Sequence, residues 1–413
     1  MRRKGIAFFV CLGLLLSMLG GVGASATSQP VTLTFWNGFT STDGDVLQEI
    51  VSRYNSTNSL GVTIEMDVMP WNTFNEKLPA AIAANQAPDF VLCSSGYYPA
   101  YVKADSFQDT SDFFEITGIS EADFDPNILK ELHYGDKLIG IPMQIVSHYL
   151  YWDKDLFQAA GLDPETPPTS FEQIKEYAQK LTDPSRNQYG WLIPTKNNVV
   201  AQYTMYAFGA DYTADDGKTA ALNSPEAAAA FEWMREVYVD MKASPSDSDD
   251  NTYISGQLGM FINGPWIIKG LRDNEINFGV TAVPAAEGHE PGAAIIPVGF
   301  SIPSTVSAER KALVYDFVRY WNTEEICTEW TERCGTPPYL KSAQKNFEDD
   351  PITGALSVPL SYGKVALKDV GVTPVASEAL YPALEEIFAG AEVQATLDKY
   401  NAVAQSVLDA GTK

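Results

Sequence analysis

Short runs rich in β-branched and aromatic residues alternate with longer stretches of helical period along this chain. That alternation restricts it to α/β layers with mostly parallel strands. Residues 31–37, 62–68, 89–95, 138–144, 149–152, 189–194, 258–262 and 278–283 read as strands. Between the first two, Val46, Leu47, Ile50, Val51 and Tyr54 recur at the spacing of one helix face. Helix starts are marked by overlapping capping boxes at Thr169 and Ser170, by Ser224 before Pro225, and by Ser307 before a helix running from Ala308 to about Trp321. No repeat or long low-complexity tract occurs, and residues 244–250 read as a solvated acidic loop.

The first residues carry an address. Arg2, Arg3 and Lys4 precede an apolar run over 6–19 and then Ala24-Ser25-Ala26, the layout of a signal peptide cleaved after Ala26. The run is shorter than the roughly 20 residues that span a bilayer. Cys11 lies inside it rather than at its end, so the expectation is a free periplasmic or extracellular protein without a lipid anchor. Cleavage leaves 387 of the 413 residues, a length for two or three domains, and removes three cations, moving the net charge from −25 to −28. A surface that acidic repels nucleic acid and anionic lipid.

Three cysteines remain, an odd number that rules out full internal pairing. Cys93 falls in an apolar strand and reads as buried. Cys327 and Cys334, seven residues apart on one helix, would stand roughly 10 Å apart, so they can bridge only if the helix ends near Glu332.

Signatures of catalysis are missing from the sequence. It has no G-x-S-x-G elbow, P-loop or G-x-G-x-x-G, and His133, His148 and His289 lack metal-ligand spacing and read as surface or structural. No catalytic residue, metal or cofactor is expected, although the paired carboxylates of a glycosidase need no local signature and stay open. What recurs instead is aromatic and amide residues at strand ends, where open α/β sheets bind ligands. A strand-like run ends in Asn263-Gly264-Pro265-Trp266, a turn that offers a flat indole. Trp36, Asn37 and Asp43 follow the first strand, with Trp36 as core and Asp43 as a helix cap the competing readings. Trp71 follows the second strand and Ser95 and Tyr97 the third. Tyr149 and Tyr151 share one face of their strand, and Trp152 takes the other. Rings combined with amides suit a sugar, whose C–H face packs on an aromatic while its hydroxyls need partners. Phosphate would call for clustered arginines, which here are scattered. A phosphorylated polyol, or a polyamine caged by acids and aromatics, stays as the alternative.

The order and intervals of several short motifs resemble a known family. They are Leu33-Thr34-Phe35-Trp36-Asn37-Gly38-Phe39, Lys77-Leu78 with Ala80-Ala81, Pro88-Asp89-Phe90, Gly140-Ile141-Pro142, Asp153-Lys154-Asp155-Leu156-Phe157 with Ala160-Gly161-Leu162, Asn263-Gly264-Pro265-Trp266 and Gly335-Thr336-Pro337-Pro338. Together they resemble the extracellular solute-binding proteins of ABC transporters, the group that includes maltose-binding and glycerol-phosphate-binding proteins. The resemblance implies a two-lobed, type II periplasmic-binding-protein fold with a mostly parallel sheet in each lobe. It implies three crossings between lobes, near 144–149, 295–301 and 335–340. The first lobe would take 31–144 with 300–335, and the second 149–295 with 340–413. The implied protein is a monomer that captures a carbohydrate between its lobes and delivers it to ABC permease subunits. Carried over by position, the implied ligand residues are Gly264 and Trp266, Trp36, Asn37 and Asp43, and then Trp71, Ser95, Tyr97, Tyr151, Tyr203, Arg333 and Tyr339. One departure is Trp152-Asp153, where the family commonly has tyrosine-asparagine ahead of lysine-aspartate.

Overall fold

A computed structural model describes residues 31–245, 250–367 and 370–411 of the protein. The expected signal segment 1–26, and residues 246–249 of the acidic loop, lie outside them. The strands that build the site are β1 (Val31–Asn37), β2 (Val62–Val68), β3 (Phe90–Ser94), β4 (Ile141–Val146), β5 (Tyr149–Asp153), β6 (Met260–Asn263), β7 (Phe278–Ala282) and β8 (Ile296–Ser301). The helices around them include α1 (Thr42–Thr57), α2 (Trp71–Ala83), α3 (Phe171–Leu181), α4 (Asn198–Ala207), α5 (Pro225–Arg235), α6 (Ala308–Trp321), α7 (Glu324–Cys334) and α8 (Val393–Gly411).

Period-two burial sets the first strand: Leu33, Phe35 and Asn37 face inward, and Thr32 and Thr34 outward. Its register against β3 places Phe35 opposite Phe90, with the rings stacked at 4.3 Å. On α1 every residue of the expected apolar face is buried. Ser170, Ser224 and Ser307 each accept a backbone N–H at a helix start, as their positions predict.

Two sheets result. The first has the order β2-β1-β3-β8-β4 and the second β6-β5-β7. Each has its own apolar core, one gathering residues from Leu33 to Ile145 and from Ile295 to Ala343, the other mainly residues from Leu150 to Ala294 and from Val375 to Leu408. The architecture is therefore two-lobed α/β. Strand direction departs from the mostly parallel expectation: β2, β1 and β3 are parallel, but β8 is antiparallel to both neighbours, and the second sheet is antiparallel throughout. The cause is the route of the chain. β1 and β3 run towards the cleft between the lobes, whereas β8 enters its sheet from the other lobe and so runs away from it. β5 likewise leaves the cleft while β6 and β7 run back.

Three other expectations change. Residues 189–194 form no strand; Tyr189 makes a single bridge to Leu258, and Trp191 wedges edge-on against Trp233 at 6.1 Å, so the run fills core instead of joining a ladder. Ile296–Ser301, expected as a crossing, is a full strand, and the chain crosses ahead of it. Tyr339 and Leu340, expected in the third crossing, pack in the first-lobe core.

Helix α7 continues through Cys334 and ends on Gly335 at φ +72°, so Cys327 and Cys334 lie on one unbroken helix and both are free. The geometry needed for a bridge is absent. Cys93 is also buried and free. A thiol reagent should leave the native protein without residues 1–26 unlabelled and titrate three thiols after unfolding; two missing thiols would mean a disulfide. Among the described residues no helix is long and apolar enough to cross a membrane.

Candidate functional site

The Gly-Pro-Trp turn is built by local constraints. Asn263 Oδ1 accepts the Gly264 N–H at 2.8 Å, and Pro265 opens a single 3₁₀ turn over Pro265–Ile267. A Cβ on Gly264 would stand 2.1 Å from the Trp266 ring, so only glycine lets the indole fold back across its own backbone. The Gly264 carbonyl accepts the Tyr151 hydroxyl at 3.1 Å, fixing the turn to β5.

Trp266 lines a cavity of about 1050 Å³. Thr40, Ser41 and Thr42, where β1 leads into α1, line it from the first lobe. His148 lines it from the link between β4 and β5, and Thr195, Lys196 and Asn197 from the segment ahead of α4. The lobes touch around this space: the Thr42 hydroxyl donates to the Trp266 carbonyl at 3.3 Å, and Arg272 donates to the Glu332 carbonyl at 2.7 Å. On another edge Tyr97 and Thr373 hydroxyls lie 3.4 Å apart, and Lys103 Nζ donates to the Gly411 carbonyl at 2.7 Å.

Of the residues expected to touch ligand, Trp266 lines this cavity, with Gly264 shaping its turn and Asp43 one residue beyond Thr42. The others sit elsewhere, for reasons of strand parity and packing. Trp36 points to the face opposite Phe35, where Lys77 Nζ stands 5.0 Å from its ring. Asn37 is fully buried and builds the loop, its Oδ1 accepting the Phe39 N–H at 3.0 Å. Trp71 packs edge-on against Phe39 and Phe74. Ser95 is buried, and Tyr97 joins the lobe edge described above. Tyr151 is wholly buried under the turn. Arg333 is taken by Glu49 at 2.7 Å and Glu329 at 3.0 Å. Tyr339 is buried, stacks on Phe124, and lines a separate cavity of about 360 Å³.

Tyr203 has a different role from the expected contact. Its buried hydroxyl donates to the Ala294 carbonyl at 2.9 Å, accepts the N–H groups of His148 at 3.2 Å and Ala294 at 3.1 Å, and meets the Ser147 hydroxyl at 2.9 Å. One oxygen thus pins two crossings of the chain. Sequence reasoning missed His148, Asn197 and Thr195 as cavity residues. For the last two the signal was available in the polar run Thr195-Lys196-Asn197 that follows an apolar one.

Next to Thr42, the buried Asp43 carries a perturbed carboxyl. Burial raises its carboxyl from the ordinary 3.8 to about 6, against the lowering effect of the Gly44 N–H, which it accepts at 2.9 Å. A folded value above the unfolded one means that ionisation opposes folding: the penalty is absent below the unfolded value and complete above about 6. Asp43→Asn, which keeps an acceptor for Gly44, should therefore stabilise the protein by about 2 kcal/mol at pH 8 and by nothing at pH 4. Thermal unfolding across that range checks this, and a gain independent of pH would refute the burial argument.

Two α/β lobes, a cleft between them and pinned crossings at its floor define a two-domain binding protein of the periplasmic type. Residues 49–355 match the bacterial extracellular solute-binding protein family, and the chain belongs to it. A binding protein of Brucella abortus (strain 2308) is 25% identical over 284 residues, 65% of this chain and 66% of that one, so the chain spans just under two thirds of that relative. The maltotriose-binding protein of Pyrococcus abyssi is 22% identical over 382 residues, covering 89% of this chain and 80% of the relative. Among solved structures, an ABC transporter solute-binding protein of Thermotoga lettingae bound with alpha-D-tagatose superposes with a TM-score of 0.81 at 20% identity, over 91% of this chain and 99% of that one. That likeness carries the fold.

Proposed function

We propose that the protein captures a sugar or oligosaccharide in the cleft and presents the closed form to the permease subunits of an ABC importer. The observation that carries this is the make-up of the cavity: an indole on one wall, and hydroxyl, amide and imidazole groups around it. Its volume is at the upper end of small-molecule pockets, about 300–1,000 Å³. Among the described residues that line it there is no carboxylate, and Lys196 is the single cation. A glycosidase needs two carboxylates across the scissile bond, a polyamine cage needs anions, and a phosphate site is best served by arginine. The lining favours an uncharged, hydroxyl-rich ligand over all three. The relative named for maltotriose supports the same reading.

Ligand binding shifts the balance of open and closed forms only by its preference for the closed cleft, so capture and delivery share one equilibrium. We place the protein outside the cytoplasm, as a monomer released by its signal segment and working without covalent chemistry. Its first lobe is built on 31–144 and 300–335, extended by β8, and its second on 149–295 and the C-terminal helices. Mass spectrometry of ligand released from natively purified protein, followed by titration, tests the central statement. A neutral saccharide should appear uncleaved; a phosphorylated compound or an amine in its place would overturn the sugar reading.

A further inference from the structure

We propose that His148 reads a hydroxyl of the captured ligand at the floor of the cleft and so helps set specificity; this rests on the sugar reading of the same cavity. His148 occupies the second position of the two-residue link between β4 and β5, where the chain passes from one lobe to the other. It lines the cavity, only 7% exposed, and its Nδ1 has no hydrogen-bond partner among the described residues. Buried polar groups in folded proteins are nearly always paired, so an imidazole left unpaired beside a cavity marks a place for a partner.

His133 shows what a satisfied histidine looks like here. Its Nδ1 lies 2.7 Å from the Leu129 carbonyl, one helical turn back. His148 lacks any such arrangement, although its backbone is firmly held: its N–H donates to the Tyr203 hydroxyl at 3.2 Å. The imidazole stands at right angles to the Trp266 indole, with ring centroids 5.4 Å apart. A sugar stacked on the indole would have its hydroxyl rim within the span of that pair.

The chemistry fits one ligand class. Burial pulls the imidazole down to about 4, so it is uncharged at neutral pH and carries one donor and one acceptor. A sugar hydroxyl is both donor and acceptor. A phosphate would gain more from an imidazolium, which this site disfavours, and an ammonium ion would find a single acceptor and no counter-charge.

The test uses neutral saccharides from mono- to tetrasaccharide, including D-tagatose and maltotriose, titrated at pH 7 into the wild type, Trp266→Ala, His148→Phe, His148→Asn and His148→Gln. His148→Phe should bind at least tenfold more weakly. One of the amide variants, whose polar atoms can stand near Nδ1 or Nε2, should return to within about threefold of the wild type. Since the chain has three histidines, the ¹⁵N signals of His148 can be followed directly in the wild type, independently of whether any variant folds. They should move on saturation with the bound saccharide. Unmoved ¹⁵N signals overturn the inference, as does a His148→Phe affinity within twofold of the wild type while Trp266→Ala is weakened; the sugar reading survives both results. A wild type that binds no member of the panel overturns both together.

Discussion

Tyr203→Phe should destabilise the protein by about 3 kcal/mol, because it leaves two buried N–H groups without an acceptor at roughly 1–3 kcal/mol each. The ring itself would stay in place. It packs edge-on against Tyr206 at 5.9 Å, and a Phe ring can take the same place. The Ala294 carbonyl would keep the Ser147 hydroxyl at 2.8 Å, so the loss falls on the His148 and Ala294 N–H groups. Both lie where the chain passes between lobes, so the damage should also widen the range of lobe orientations. Calorimetric unfolding and small-angle scattering of the unliganded protein would show a lower melting temperature and a larger radius of gyration. A loss under 0.5 kcal/mol would mean that water replaces the hydroxyl and that the clamp has little energetic weight.

Local signals were legible in the sequence where one element decides its own geometry. Val46, Leu47, Ile50, Val51 and Tyr54 are all buried because a helix face needs only its own spacing. Ser170, Ser224 and Ser307 cap helices because a cap reaches two or three residues. Strand direction was illegible, since β8 and β5 take theirs from the lobe the chain is leaving. Pro297 and Gly299 also disguised β8, both being residues that weaken a strand pattern.

The same division runs through the site. Trp266 could be found because Gly264 and Pro265 dictate where the indole goes. Trp36, Tyr151 and Tyr339 are equally aromatic and equally near strand or loop ends, but burial and face parity withdraw them from the cleft. Tyr203 and His148 acquire their roles from residues roughly 55 and 90 positions away or more, through Ser147, Ala294 and Trp266. No local pattern encodes such contacts. The one hint for His148 was its type, an imidazole in a two-residue link between two apolar strands.

Trp266→Ala should weaken saccharide binding about fiftyfold. A pyranose face lying on the indole removes on the order of 100 Å² of apolar surface from water, about 2.5 kcal/mol at 25 cal/mol per Å², and each 1.4 kcal/mol is a factor of ten. The fold should survive, because Trp266 is only partly buried and the turn beneath it is held by Asn263, Pro265 and the Tyr151 hydroxyl. Loss of the indole also frees one side of His148, so a melting temperature slightly below the wild type is expected along with the weaker binding. The change should appear mainly as faster dissociation, as is usual for variants of one binding surface. Stopped-flow and equilibrium titration with the saccharide found on the native protein would measure it. An unchanged dissociation constant would remove the indole from the site and leave the cavity without the stacking surface on which the sugar reading depends.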